Sequence, residues 1–168
     1  FMKTQTGFTF LKMLIGLPII LLGSIPVLAA TITVNNVSDN TTQDGKCTFR
    51  EALDNAQGAN HADCILGTTG GEDEIVFNVA TPATINLTGV LPVIQESVKI
   101  LNQTGYRLTV RRTTGGDYRI FKVSTDATVT IEGLTIENGI ATSAGGIYNL
   151  GTLNLKYSTV RGNQAQYG

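Results

Sequence analysis

Thr128-Val129-Thr130-Ile131-Glu132-Gly133-Leu134-Thr135-Ile136-Glu137-Asn138-Gly139 lies over Thr152-Leu153-Asn154-Leu155-Lys156-Tyr157-Ser158-Thr159-Val160-Arg161-Gly162-Asn163 as a near repeat. The offset is about 24 residues, and a fixed period in the twenties marks a solenoid. Both lines alternate in polarity as strands do, so each unit is a β coil. Such a stack offers a long surface but does not by itself carry chemistry.

Outward from this pair, short period-2 runs begin near residue 74. Ile75, Phe77 and Val79 share a face, followed by Ile85 with Leu87, Val98 with Ile100, and Leu108 with Val110. Ile120 and Lys122 are expected to point outward, and Phe121 and Val123 inward. Breaks between runs carry Gly, Asn, Asp or Pro, and Gly133, Gly145, Gly146 and Asn149 are read as repeat-turn residues. At about 24 residues per coil, residues 72–168 make roughly four coils spaced about 4.8 Å apart. The offset predicts Ile131 over Leu155, Leu134 near Tyr157 and Ile136 over Val160. Ile120-Phe121 is expected in the place of Ile147-Tyr148, with Ser124–Asp126 bulging at the corner. Two packed sheets or a β-sandwich would account for the irregular strands but not for the fixed offset.

Hydrophobic residues make up 42% of the 168, enough for a packed core. Charged residues are only 15%, so Thr, Asn, Ser and Gly must cover the surface, as suits ladders of hydroxyls and amides on stacked strands. Net charge is −1, and residues 1–30 hold Lys3 and Lys12 and no acid, which leaves the remainder at −3. No basic patch favours nucleic acid or an anionic membrane surface. Arg107 with Arg111-Arg112 is the one basic cluster, read as a solvated strand edge.

Residues 1–30 read as an export signal. Lys3 and Lys12 precede an apolar run from Met13 to Ala30, broken by Gly16, Pro18, Gly23 and Pro26. It ends Val27-Leu28-Ala29-Ala30, offering small residues for a peptidase after Ala29 or Ala30. A retained anchor is the alternative, since the run is just long enough to span a bilayer, though no cationic flank follows it. Gly7-Phe8-Thr9-Phe10-Leu11 resembles the processing site of type IV prepilins, but Lys12 stands where that family carries Glu, and strands follow the run.

Cys47 and Cys64 are the two cysteines, and in an exported chain they are expected to pair. Two thiols and the single His61 fall short of a four-ligand zinc site. Between them, Thr48-x-x-Glu51 forms a capping box, and Phe49, Ala52, Leu53 and Ala56 follow at helical spacing up to Gly58, predicting a helix over residues 49–57. Arg50 and Glu51 are read as surface charge and cap. Residues 31–71 would form an N-terminal plug for the first coil.

Asp44-Gly45-Lys46-Cys47-Thr48-Phe49-Arg50-Glu51-Ala52-Leu53 resembles the "CSLREAI" segment of exported parallel β-helix proteins, with Thr for Ser, Phe for Leu and Leu for Ile. Asp73-Glu74-Ile75-Val76-Phe77-Asn78 fits that pattern too. Gly145-Gly146-Ile147-Tyr148-Asn149 resembles the repeats of polymorphic outer-membrane-type proteins. The resemblance covers residues 31–168 and implies a right-handed parallel β-helix, exported and often attached to the cell surface. It brings no shared catalytic motif. Because Tyr167-Gly168 falls in mid-repeat, the chain is read as a fragment, and a C-terminal anchor or barrel would lie beyond it.

Many polysaccharide lyases and hydrolases use this fold, and hydrolysis needs converging carboxylates. The acids of the repeat body show no common phase. Asp117 and Asp126 bracket Arg119 and Lys122, which makes that stretch the best enzymatic candidate, while Glu72-Asp73-Glu74 is read as a solvated loop in preference to a calcium site. His61 has no evident partner. Asn36, Asn40, Asn86 and Asn102 each open an N-x-Ser/Thr triplet. The chain is therefore expected to be a non-catalytic, exported module for adhesion, display or a stalk, without cofactor or metal. Carbohydrate or a surface protein of a host or neighbouring cell is its expected partner, met on a face of Thr, Asn and Tyr (Tyr106, Tyr118, Tyr148, Tyr157). Contact with membrane would come only through the signal or an anchor.

Overall fold

A computed structural model of the chain describes residues 28–113 and 115–167. In chain order it contains β1 (Thr31–Val34), α1 (Phe49–Asn55), β2 (Asp73–Phe77), β3 (Ala83–Leu87), β4 (Val98–Leu101), β5 (Leu108–Arg112) and β6 (Phe121–Val123). These are followed by β7 (Thr128–Glu132), β8 (Leu134–Glu137), β9 (Ile140–Ser143), β10 (Ile147–Asn149), β11 (Thr152–Lys156), β12 (Thr159–Arg161) and β13 (Gln164–Tyr167). Every pairing between them is parallel. The first sheet runs β1-β2-β4-β7-β11 and the second β3-β5-β8-β12, while β6-β10 and β9-β13 form two narrower sheets. Strands so ordered return to the same sheet once per turn, and the chain is a parallel β-helix of about four turns.

The core is a set of ladders running up the stack. Ile32, Ile75, Ile100 and Ile131 pair in succession and are fully buried, and Leu155 caps the row. On the second sheet Ile85, Val110 and Ile136 do the same below Val160. Each fully buried aliphatic side chain contributes about 1.5–3 kcal/mol, so a few such rows hold the coils together. The expected superpositions of Ile131 with Leu155 and Ile136 with Val160 are therefore present.

The period is less uniform than the repeat suggests. On the first sheet Glu74 pairs with Lys99, Val98 with Val129 and Thr128 with Thr152, and the second of these steps is clearly the longest. Most of the long step arises at one corner. Residues 102–107 join β4 to β5, whereas Gly133 alone joins β7 to β8. Asn102 folds the longer loop over the tighter one, its Nδ2 donating to Tyr106 O and Gly133 O at 2.8 Å each.

Two expectations at β6 change. Phe121 pairs with Ile147, so Ile120-Phe121 sits one residue earlier than expected, over Gly146-Ile147. Ile120 is buried, because the chain turns just before β6 and its side chain follows the bend into the core. Thr135 pairs with Thr159, which puts Tyr157 over Gly133 at the corner, where it lines one groove with Leu134 as expected.

At the N-terminus, α1 begins with the expected capping box. Glu51 N donates to Thr48 Oγ1 at 3.3 Å and Thr48 N to Glu51 Oε2 at 2.9 Å, satisfying donors the first turn leaves free. Phe49, Ala52, Leu53 and Ala56 are buried as one stripe, and Phe49 meets Phe77 and Phe121 at ring-centroid distances of 5.5 and 6.1 Å. The helix stops at Asn55, short of the expected end, because the Asn55 side chain binds the chain beyond it. Its Oδ1 accepts from His61 N at 2.7 Å, and its Nδ2 donates to the carbonyls of His61, Cys64 and Ile65. Cys47 and Cys64 form the disulfide, with Cα atoms 4.9 Å apart.

Candidate binding face

Alternation along the second sheet sends one side of each strand outward and aligns two polar rows. Thr84, Thr109, Thr135 and Thr159 pair directly from coil to coil, with Thr109 and Thr135 buried and only the two end members open to solvent. Two residues along, Asn86, Arg111, Glu137 and Arg161 form the second row. Arg111 Nε donates to Asn86 Oδ1 at 2.7 Å, and Glu137 lies between two guanidiniums, 2.8 Å from Arg161 and 4.0 Å from Arg111. The basic cluster is thus not a strand edge, since β5 is flanked by β3 and β8. Arg112 instead turns to Asn138 O and Gly116 O, with Asp117 at 4.0 Å.

Grooves border this face on both sides. One, of 420 Å³, lies at the Gly133 corner and is lined by Asn102, Tyr106, Arg107, Glu132, Thr135, Tyr157 and Thr159, among others. Tyr157 is 92% exposed and holds φ at +50°, a left-handed conformation that a bulky residue rarely adopts. On the far side a depression at Arg111, Arg112 and Asn138 shares Ile140 and Gln164 with a larger groove of 610 Å³. The loop bearing Asp117, Tyr118 and Arg119 walls that groove against the outer side of β9 and β13. Arg119 stacks on Tyr148, its guanidinium carbon 4.4 Å from the ring centroid, and its Nη1 is buried without a hydrogen-bond partner.

The enzymatic candidate does not assemble. Asp117 lines the large groove with Arg119, while Asp126 lies in a separate depression with Gln95, Glu96, Ser97, Ser124 and Thr125. Lys122 is on β6 in register with Tyr148. Among the described residues, no three His, Cys, Asp or Glu side chains are grouped to hold a metal ion. Glu72-Asp73-Glu74 is not a solvated loop. Glu72 and Glu74 grip Lys99 at 3.0 and 3.2 Å, and those hydrogen bonds, that to Glu72 foremost, hold its pKa above the ordinary lysine value. Asp73 is buried, because it occupies the inward phase shared by Ile75 and Phe77.

Arg50 is not free surface charge either. It binds Asp39, Gly89 O and Val90 O, joining α1 to two loops. Glu51 keeps its cap role. His61 meets Asp54, its Nε2 3.2 Å from Oδ2. Of the turn residues, Gly133 takes φ +72°, and Gly145 has backbone from Gly139 and Gln164 where a Cβ would be. A Cβ on Gly146 would stand 2.9 Å from the Asn163 side-chain amide, and Asn149 folds back on Gly151 through both its amide atoms.

The polar rows could have been found in the sequence by sliding its runs one coil at a time, because Thr recurs at each step. Asp39 carried no comparable signal. Among the described residues no helix is long and apolar enough to cross a membrane, and the expected export signal lies, up to residue 27, outside them. No family model, curated protein or solved structure matches the chain, so the family resemblance rests on its own motif residues.

Proposed function

We propose that the chain is an exported, non-catalytic β-helix module that serves adhesion or display at a cell surface. Its ligand is an extended polar chain, a carbohydrate, lying along the second sheet. The observation that carries this reading is the outward row Asn86-Arg111-Glu137-Arg161, which sets a polar side chain at every coil beside the open ends, Thr84 and Thr159, of a threonine row that is buried at Thr109 and Thr135. Coils rise by about 4.8 Å, so a ligand with its own repeat of hydroxyls meets several equivalent contacts. Tyr106 and Tyr157, both exposed beside the Thr row, offer faces on which a sugar ring can stack. The disulfide supports an oxidising compartment, and the likeness of residues 44–53 to exported β-helix proteins supports the same.

The test is binding of the oxidised chain to immobilised glycans of neutral and acidic type, beside Arg161→Ala and Tyr157→Ala. Retention on a defined glycan that both substitutions abolish, with unchanged melting, supports the reading. Failure to bind any glycan, or binding indifferent to both substitutions, removes this face as the site.

A further inference from the structure

Asp73 is the one carboxylate in the inward rows of the first sheet. It is 1% exposed, at the position that Val98 and Val129 fill in the next two coils. Its Oδ1 accepts from Ala30 N at 2.8 Å and Thr68 Oγ1 at 2.6 Å, and its Oδ2 accepts from Thr68 N at 2.9 Å. None of the ion pairs among the described residues supplies it with a cation. A buried carboxylate held only by neutral donors is costly, and a cation at hydrogen-bond distance removes much of that cost.

Ala30 marks a sharp boundary. Its N–H serves Asp73, its carbonyl accepts from Glu74 N at 2.8 Å, and its side chain packs against the core. Leu28, two residues earlier, is 87% exposed, and Ala29 is exposed as well. We infer that the chain is processed between Ala29 and Ala30, and that the Ala30 α-ammonium so created forms an ion pair with Asp73 and locks the first rung of the sheet.

The step is hydrolysis by an export peptidase. Water is consumed, the Ala29–Ala30 C–N bond breaks, Ala29 leaves as a carboxylate, and the Ala30 amine takes a proton. The same donor atom that now reaches Asp73 as an amide reaches it as a cation. A cut after Ala30 would instead remove both the donor to Asp73 and the acceptor for Glu74. It would also put bulky Leu28 three residues before the cut, where the smaller Val27 stands for a cut after Ala29. The inference rests on the export reading and narrows its two candidate bonds to one.

The test is expression of the full chain in a host with a general leader peptidase, followed by N-terminal sequencing of the exported product. Its α-amine is then probed by an amine-reactive reagent, in the native protein and in D73N. The expected product begins at Ala30. Its α-amine should be modified about tenfold more slowly than in D73N, because a carboxylate partner holds the proton on. Export with another N-terminus overturns the cut and leaves the export reading standing. Retention of the leader overturns both. A product that begins at Ala30 but is labelled as fast as D73N overturns the ion pair. D73N that does not fold is replaced by unfolded native protein as the reference, with the same two outcomes.

Discussion

Arg50 meets Asp39 through a two-pronged contact, Nε to Oδ1 at 2.8 Å and Nη2 to Oδ2 at 2.9 Å. The Asp39 side chain is almost wholly enclosed, and its Oδ2 also accepts from Thr88 N and Thr88 Oγ1. Arg50 in turn donates to Gly89 O and Val90 O. One pair therefore fastens the capping helix to the loop before it and to the turn after β3. Arg50→Met, which leaves Asp39 buried and unpaired, should cost about 3–5 kcal/mol in urea denaturation. Arg50→Lys should recover little, since an ammonium cannot reproduce the fork. Full stability of the Lys variant would show that charge alone matters here.

The disulfide closes the loop that carries α1 and the Asn55 contacts, between cysteines 17 residues apart in sequence. Its removal by paired Cys→Ser substitution should lower stability by about 3 kcal/mol in the chain-entropy account. The loss should concentrate at the cap. Amide exchange is expected to quicken over residues 31–67 while β8 and its neighbours hold, because coils of a solenoid contact only adjacent coils. Uniform loss of protection across all coils would mean that the cap and the stack unfold as one unit.

Burial pushes the Tyr118 phenol up from its ordinary value, and its hydroxyl donates to Leu87 O at 2.8 Å. The folded state therefore holds this proton more tightly than the unfolded chain does. The group's contribution is complete below pH of about 10, where the unfolded phenol titrates, and is lost as pH rises through the higher folded value. In native protein the tyrosinate absorbance should show a late component that Tyr118→Phe removes. The same change should cost about 1 kcal/mol at neutral pH, since Leu87 O keeps Thr113 N and Thr113 Oγ1 as donors. A Phe variant with an unaltered titration would place the late component elsewhere.

Legibility in the sequence followed the physics of each feature. The aliphatic rows and the capping box depend on local alternation and spacing, and both stand where the residues put them. Corner length does not leave such a signal. Residues 102–107 and Gly133 do the same job in successive coils, so a period taken from the last two coils misjudged the step between β4 and β7. Buried charge was the other blind spot. Arg50 and Asp73 look like surface residues by type, and their enclosure depends on partners that no local pattern marks, Asp39 for Arg50 and Ala30 with Thr68 for Asp73. Asp73 did leave a trace, because it falls in phase with Ile75 and Phe77.

Tyr157 and Gly133 share one corner of adjacent coils and one sign of φ, +50° and +72°. Glycine adopts that conformation freely, whereas an L side chain crowds its own carbonyl there at a cost of about 1–2 kcal/mol. Tyr157 is 92% exposed, so little burial offsets that strain. Tyr157→Gly should therefore raise stability by about 1 kcal/mol while abolishing glycan retention, the combination expected where a strained residue serves binding. Gly133→Ala should act in the opposite sense. Besides the positive φ, its Cβ would stand 2.8 Å from Asn102 O, and the Asn102 amide that closes the neighbouring loop would have to shift. A loss of about 2 kcal/mol is expected in denaturant melts. If Tyr157→Gly lowers stability instead, the tyrosine is a structural residue of the corner, and the binding role assigned to it fails with that result.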